Sequence, residues 1–282
     1  MEKLKVGIIG AGWIAHKMAQ AVAPLNDVEI LAVASRTEEK ARNFTAMYGI
    51  QKSYGSYEAL VEDNYVDLVY VATPHSHHYQ HARLAIEHGK SVLVEKAFTA
   101  NAREAQALID LAHERRVLLV EAIWTRFMPM SHKISEILQS GVIGEPRVLT
   151  ATLCYYMEDK ERIIRPELCG GALLDLCVYV LNSARMYFGA DITRTVTNCH
   201  LSETGVDMME CISLSYSNGR MANLQAGALT LNDRQGIISG TEGYIRVDNV
   251  NCPSLVQVYN NDYKVVAEYR CPETQITGYE YQ

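Results

Sequence analysis

Four groups of residues combine types and spacing that suit chemistry. The first is Gly10-Ala11-Gly12-Trp13-Ile14-Ala15, directly after an apolar run at 5–9 and before an amphipathic stretch. At such a junction Gly10 permits a tight turn and Gly12 lets backbone approach a pyrophosphate. The small Ala15 lets strand and helix pack closely, and the helix opening at Trp13 and Ile14 turns its N-terminus toward phosphate. A glycine motif alone is weak, and its place between strand and helix is what points to a dinucleotide. Roughly 20 residues further on, NAD-binding domains commonly carry a carboxylate for the ribose 2′-hydroxyl. Here the positions hold Ser35-Arg36-Thr37. A hydroxyl and a guanidinium suit a 2′-phosphate, so the expected cofactor is NADP, with NAD as the alternative. A solvated surface arginine is the plainer reading of Arg36.

The second group, Thr73-Pro74-His75-Ser76-His77-His78, follows the third main strand at the edge where such sheets bind ligands. Its histidines lack the i, i+4 spacing and the neighbouring acid of a metal site, so no metal is assigned. A polar loop is expected, stiffened by Pro74, with one histidine near the cofactor. The third, Glu95-Lys96, ends the next strand at the same edge, beside the nicotinamide. A lysine there is a candidate acid–base or hydroxyl-binding group, since burial and neighbours shift its protonation. The fourth is Gly170-Gly171-Ala172-Leu173-Leu174-Asp175-Leu176-Cys177-Val178-Tyr179, which opens a long helix. Asp175 and Tyr179 are four residues apart and on an α-helix share a face. Two polar groups on an otherwise apolar helix line a cleft or are paired. A structural tyrosine fits Tyr179 as well as a catalytic one.

The elements that must position these groups follow from periodicity. Strands are expected at 5–9, 29–34, 68–72, 91–94 and 117–121, with helices at 13–22, 38–48, 57–62, 79–88 and 102–115. That alternation predicts an α/β fold, a doubly wound parallel sheet, over residues 1–122. Residues 123–282 change rhythm: a helix at 129–139, a strand at 146–155, a helix at 172–188, then strands at 206–217, 220–230, 234–239, 244–247 and 255–259. This predicts an α+β domain on an open, mostly antiparallel sheet.

In 282 residues, 48% hydrophobic and 21% charged, two globular domains are expected. A net charge of −7 without a basic stripe argues against nucleic acid. No run reaches the ~20 consecutive apolar residues of a membrane span, so no membrane partner is expected. Seven cysteines, odd in number and without a C-x-x-C pair, read as reduced thiols of a cytoplasmic protein.

Together these residues resemble the Gfo/Idh/MocA oxidoreductase family over essentially the whole chain. The specific marks are the glycine motif, Thr73-Pro74 with His78, Glu95-Lys96 and the glycine-led helix with Asp175. Ala97 stands where most members have proline, and Tyr179 where most have histidine. The second departure points to the branch of dimeric dihydrodiol dehydrogenases and D-xylose dehydrogenases, which look similar through residues 121–127 and 171–175. The resemblance implies that Lys96 and Tyr179 are catalytic, with Lys96 binding the reacting hydroxyl and lowering the Tyr179 pKa. It implies that Asp175 orients the polar cluster, that Trp124 and Arg126 serve the substrate, and that the cofactor is NADP. The expected reaction is hydride transfer from a CH–OH group of a sugar or cyclic trans-diol in a homodimer or homotetramer. The alternatives are a non-catalytic dinucleotide-binding regulator, which a short C-terminus favours, and an inositol or glucose-fructose type dehydrogenase using NAD. The resemblance also implies a further helix and strand past Gln282, so a C-terminally truncated chain is expected.

Overall fold

Short apolar runs become the strands β1 (Leu4–Ile9), β2 (Val28–Ala34), β4 (Leu68–Val71), β5 (Ser91–Glu95) and β6 (Leu119–Ala122). They pair in parallel with a three-residue edge strand, β3 (Lys52–Tyr54), in the order β3-β2-β1-β4-β5-β6. Helices α1 (Trp13–Val22), α2 (Glu38–Tyr48), α3 (Tyr57–Val61), α4 (His75–Glu87) and α5 (Ala102–Arg115) connect them. Ile8, Ile9, Val33, Val69, Val71, Val92 and Val94 are buried, on both faces of the sheet. That two-sided burial is why these strands read as continuous apolar runs without alternation. The computed structural model describes residues 2–282, and the chain divides into two compact units, Met1–Ile123 and Trp124–Gln282.

Two features of the first unit depart from the sequence reading. β3 is polar and too short to show a period. α4 begins at His75, four residues before the expected 79, so the histidines lie on a helix and not in a polar loop. Pro74, at φ −60°, stands as its N-cap, where a missing N–H costs nothing. The starts of α2, α3 and α5 are capped conventionally: Thr37, Ser56 and Asn101 accept from Lys40, Ala59 and Glu104 N–H groups.

The second unit is an eight-stranded sheet with helices against it. Its strands are β7 (Pro146–Cys154), β8 (Ile192–Leu201), β9 (Asp207–Tyr216), β10 (Met221–Gly227), β11 (Gly236–Gly240), β12 (Gly243–Val247), β13 (Leu255–Asn260) and β14 (Val265–Arg270). The order is β14-β13-β12-β11-β7-β10-β9-β8, antiparallel except where β7 meets β10. The outer strands β8 and β14 were absent from the sequence reading. Every residue of β8 is exposed, so it carries no alternation between buried and exposed positions.

The helices are α6 (Pro129–Gln139), the short α7 (Glu161–Ile164) and α8 (Val178–Phe188). The expected helix at 172–188 is in fact two geometries in series: Leu173–Cys177 form a π-helical turn that runs straight into α8. By length and hydropathy alone, Pro166–Phe188 would suit a membrane span. Half of its most apolar window is buried inside the protein.

Candidate active site

In the first unit, Gly10 carries φ +101°, and a Cβ there would stand 2.8 Å from the Ala72 carbonyl oxygen at the end of β4. Only glycine brings β1 and β4 ends this close. A Cβ on Gly12 would meet nothing within 4 Å, so the backbone lies open where the α1 N-terminus begins. No side chain caps that N-terminus, while Trp13 beside it is 69% exposed. Uncapped N–H groups, open space and an exposed following residue fit a pyrophosphate. Ile14 packs against the core below. At the end of β2, Ser35 is buried and Arg36 exposed. Arg36 acts on the Tyr57 phenol, whose pKa burial raises and Arg36 lowers in part. The Thr37 hydroxyl oxygen accepts from the α2 N-terminus, which leaves its proton for a ligand.

His78 ties the next two loops together. Its ring is fully buried, with Nδ1 2.7 Å from the Ala97 carbonyl and Nε2 2.8 Å from the Thr73 carbonyl. Two carbonyl acceptors call for two N–H donors, which only an imidazolium has. Burial opposes that charge more strongly, and the pKa is lowered. His81, one turn on, bonds Thr73 Oγ1 at 3.0 Å, and burial, ahead of His77 and His78, lowers its pKa to about 4. Glu95 is buried, with one oxygen accepting from the Tyr70 hydroxyl and the other from the Lys96 N–H at 3.2 Å. Its carboxylate therefore anchors the backbone on which half-buried Lys96 sits. The Lys96–Ala97 peptide is cis.

In the second unit the glycine pair has a steric cause. A Cβ on Gly170 would stand 2.3 Å from the Ile163 carbonyl oxygen, and one on Gly171, at φ +109°, 2.2 Å from Asp207 Oδ1. The Asp207 carboxylate accepts the Leu173 N–H, closing the start of the π turn from the first residue of β9. Negative charge at a helix start is favourable, although burial keeps the Asp207 pKa raised. The π turn changes the expected relation of Asp175 to Tyr179, since its bonds run i to i+5. Asp175, 5% exposed, pairs with Arg162 Nη1 at 2.7 Å.

Buried Tyr179 accepts at its hydroxyl oxygen from Trp124 Nε1, 2.8 Å away. Indole N–H is a donor only, so the Tyr179 oxygen must accept. Its own proton is then directed away from the indole, and its ionised form is the one this bond favours. Trp124 stands in a 3₁₀ turn, Trp124–Phe127, and its ring stacks on Tyr279 at 4.6 Å. Arg126 in the same turn donates Nε and Nη2 to Asn182 Oδ1, at 3.3 and 3.1 Å. Its guanidinium therefore braces α8, the helix that carries Tyr179. Burial pushes the neighbouring Cys177 thiol up to about 12, which keeps it protonated.

Sequence reasoning missed Arg162, Asp207, Tyr279 and Glu280. The glycine pair was the one local signal that something packs closely there. The partners lie in other elements and no spacing connects them.

Residues 4–122 match the family described as "Oxidoreductase family, NAD-binding Rossmann fold", and residues 131–246 match the "GFO/IDH/MocA C-terminal domain". The chain is 35% identical to a trans-1,2-dihydrobenzene-1,2-diol dehydrogenase of Xenopus tropicalis, over 86% of this chain and 74% of that protein. It is 42% identical to a D-xylose 1-dehydrogenase (NADP(+)) of Hypocrea jecorina, over 63% of this chain and 51% of that one. A 3-ketoreductase from Actinomadura kijaniata, solved with NADP and TDP-benzene, superposes with a TM-score of 0.90 at 28% identity. The match covers 99% of this chain and 87% of the ketoreductase. Two further solved forms of that enzyme carry a lysine replaced by alanine and a tyrosine replaced by phenylalanine.

Two outcomes are expected. Gly171→Ala should lose about 2–4 kcal/mol of stability in urea unfolding, because a positive φ and a blocked Cβ coincide. His81 has a folded pKa below its unfolded value, so it favours folding above about pH 6.5 and this is lost toward about pH 4. The Tm difference between wild type and His81→Asn should accordingly shrink by about 4 °C across that window in calorimetry. A constant difference would contradict the assignment.

Proposed function

Because this chain belongs to the GFO/IDH/MocA oxidoreductase family, we propose that it oxidises a CH–OH group of a sugar or cyclic trans-diol with NADP, or reduces the matching carbonyl. The observation that carries the reading is the Trp124–Tyr179 hydrogen bond, a buried phenol oxygen held by a donor-only partner. NADP supplies the hydride acceptor at its nicotinamide. The open backbone at Gly12 and the uncapped α1 N-terminus, with the N–H groups of Trp13 and Ile14, would hold the pyrophosphate. Ser35, Arg36 and Thr37 take the ribose 2′-phosphate, for which a guanidinium provides a bidentate, charge-assisted grip. Thr73, Pro74 and His78 shape the loop beneath the cofactor, and Glu95 holds the backbone that carries Lys96.

Lys96 holds the reacting hydroxyl, and its ammonium favours the ionised form of a phenol or alkoxide nearby. Tyr179 accepts the hydroxyl proton during oxidation and returns it during reduction. The indole N–H stabilises the phenolate through which that exchange passes. Trp124 adds an apolar wall, and Arg162 keeps the Asp175 carboxylate in place beside the π turn. Arg126 acts through Asn182 on the same helix. The relatives support the substrate class and the cofactor, and the lysine and tyrosine replacements in the ketoreductase involve the same residue types.

Steady-state oxidation of D-xylose and trans-1,2-dihydrobenzene-1,2-diol with NADP tests the reading. Tyr179→Phe should lower kcat by roughly 10²–10⁴-fold with little change in cofactor affinity. Arg36→Ala should raise the KM for NADP by about 10–100-fold and leave that for NAD nearly unchanged. Full activity in Tyr179→Phe would remove the phenol from the mechanism.

A further inference from the structure

One heavily bonded carboxylate lies outside every motif discussed above. Glu280 Oε1 accepts from the Ile276 N–H at 2.6 Å and the Thr277 N–H at 3.3 Å. Its Oε2 accepts from the Gly278 N–H at 2.8 Å, and from the Thr277 N–H and hydroxyl, each at 3.1 Å. The Thr277 oxygen in turn accepts the Tyr279 N–H at 3.3 Å. Three successive backbone N–H groups thus converge on one carboxylate. They hold its pKa below the ordinary value although its burial acts the other way. A loop this short, with four donors spent on one anion, has little freedom left.

What the turn does is visible at its other side. Gly278 sits at φ +96°, and a Cβ there would stand 2.6 Å from Cζ3 and 2.8 Å from Cε3 of Trp124. The Gly278 backbone therefore lies flat against the indole, and the following Tyr279 ring stacks on it at an interplanar angle of 26°. The opposite requirement on this indole is directional, since its Nε1–H reaches the Tyr179 oxygen at 2.8 Å. An indole in contact with this fixed backbone and stacked on the Tyr279 ring is hindered from turning away from that bond.

The geometry points to Glu280 as a positioning residue that acts through the Gly278–Tyr279 backbone and Trp124 on the Tyr179 hydroxyl. This rests on the catalytic reading of Tyr179 given above. Loss of the carboxylate releases the turn and then the indole. The Tyr179 oxygen loses a donor that favours its ionised form, so its pKa rises. A role limited to holding this turn would alter stability and leave the pH profile of turnover where it was.

The experiment compares Glu280→Ala, Glu280→Gln and Tyr179→Phe in NADP-linked oxidation of D-xylose and trans-1,2-dihydrobenzene-1,2-diol across pH. Tryptophan emission is read in parallel in a Trp13→Phe background, where Trp124 is the remaining one of the two tryptophans. Expected for Glu280→Ala is a kcat about tenfold lower, a fraction of what a positioned acid–base group contributes. Its KM for NADP should stay within about twofold, since the cofactor's binding groups are untouched. The rising limb of kcat should move up by about half a pH unit as the phenolate loses its donor, and Trp124 emission should shift to the red. Glu280→Gln, which keeps an acceptor but not the charge, should fall between Ala and wild type. A folded Glu280→Ala enzyme with wild-type kcat, limb and emission would overturn the proposal. If circular dichroism shows Glu280→Ala unfolded, Glu280→Gln decides by the same limb and emission. Activity retained in Tyr179→Phe overturns the catalytic reading instead, and does so whatever the emission of Glu280→Ala shows.

Discussion

An indole N–H can only give a proton to a hydrogen bond, and in this protein it gives it to a tyrosine oxygen that is itself buried. Much of the second unit can be read as the means of keeping that one bond in place. The 3₁₀ turn presents Trp124, the π turn delivers α8 and Tyr179 at the right height, and Arg126 reaches across to Asn182 to join the two. Removing water from such a bond strengthens it and raises the cost of breaking it. The same burial makes the unbonded alternative for Tyr179 expensive, so geometry and energetics select one arrangement.

The π turn is the irregular element in this scheme, and its causes are on either side. Gly170 and Gly171 let the chain pass within contact distance of the Ile163 carbonyl and the Asp207 carboxylate. Asp207 then accepts the first N–H of the turn, and Arg162 neutralises Asp175 inside it. A regular helix over the same residues would place Asp175 and Tyr179 on one α-helical face. The chain instead takes a π turn directly ahead of Tyr179, in keeping with the tendency of π turns to occur at functional sites.

The first unit depends on bonds of another kind. There the loops after β4 and β5 carry some of the residues proposed for the cofactor, and buried polar groups hold them. His78 spans the two loops from carbonyl to carbonyl, and Glu95 joins Tyr70 to the backbone of Lys96. Since burial lowers the pKa of both His78 and His81, the stiffness of this edge is coupled to pH in the acid range.

Periodicity alone determined the alternation of strands and helices in the first unit, because two-sided burial produces apolar runs that glycine and capping residues delimit. It placed α1, α2, α5 and α6 at their observed bounds and the glycine motif at the β1–α1 junction. Residue type and element position also singled out Lys96, Asp175 and Tyr179, while Trp124 came from the family resemblance. Periodicity did not show β8, whose residues are exposed throughout, nor the early start of α4, because a proline ahead of histidines resembles a loop. The tertiary structure alone decided the pairing. Arg162 with Asp175, Asp207 with the helix start, and Glu280 with the turn beneath Trp124 join residues from separate segments. A side chain's partner across the fold depends on how elements pack, and local spacing along the chain carries no record of that.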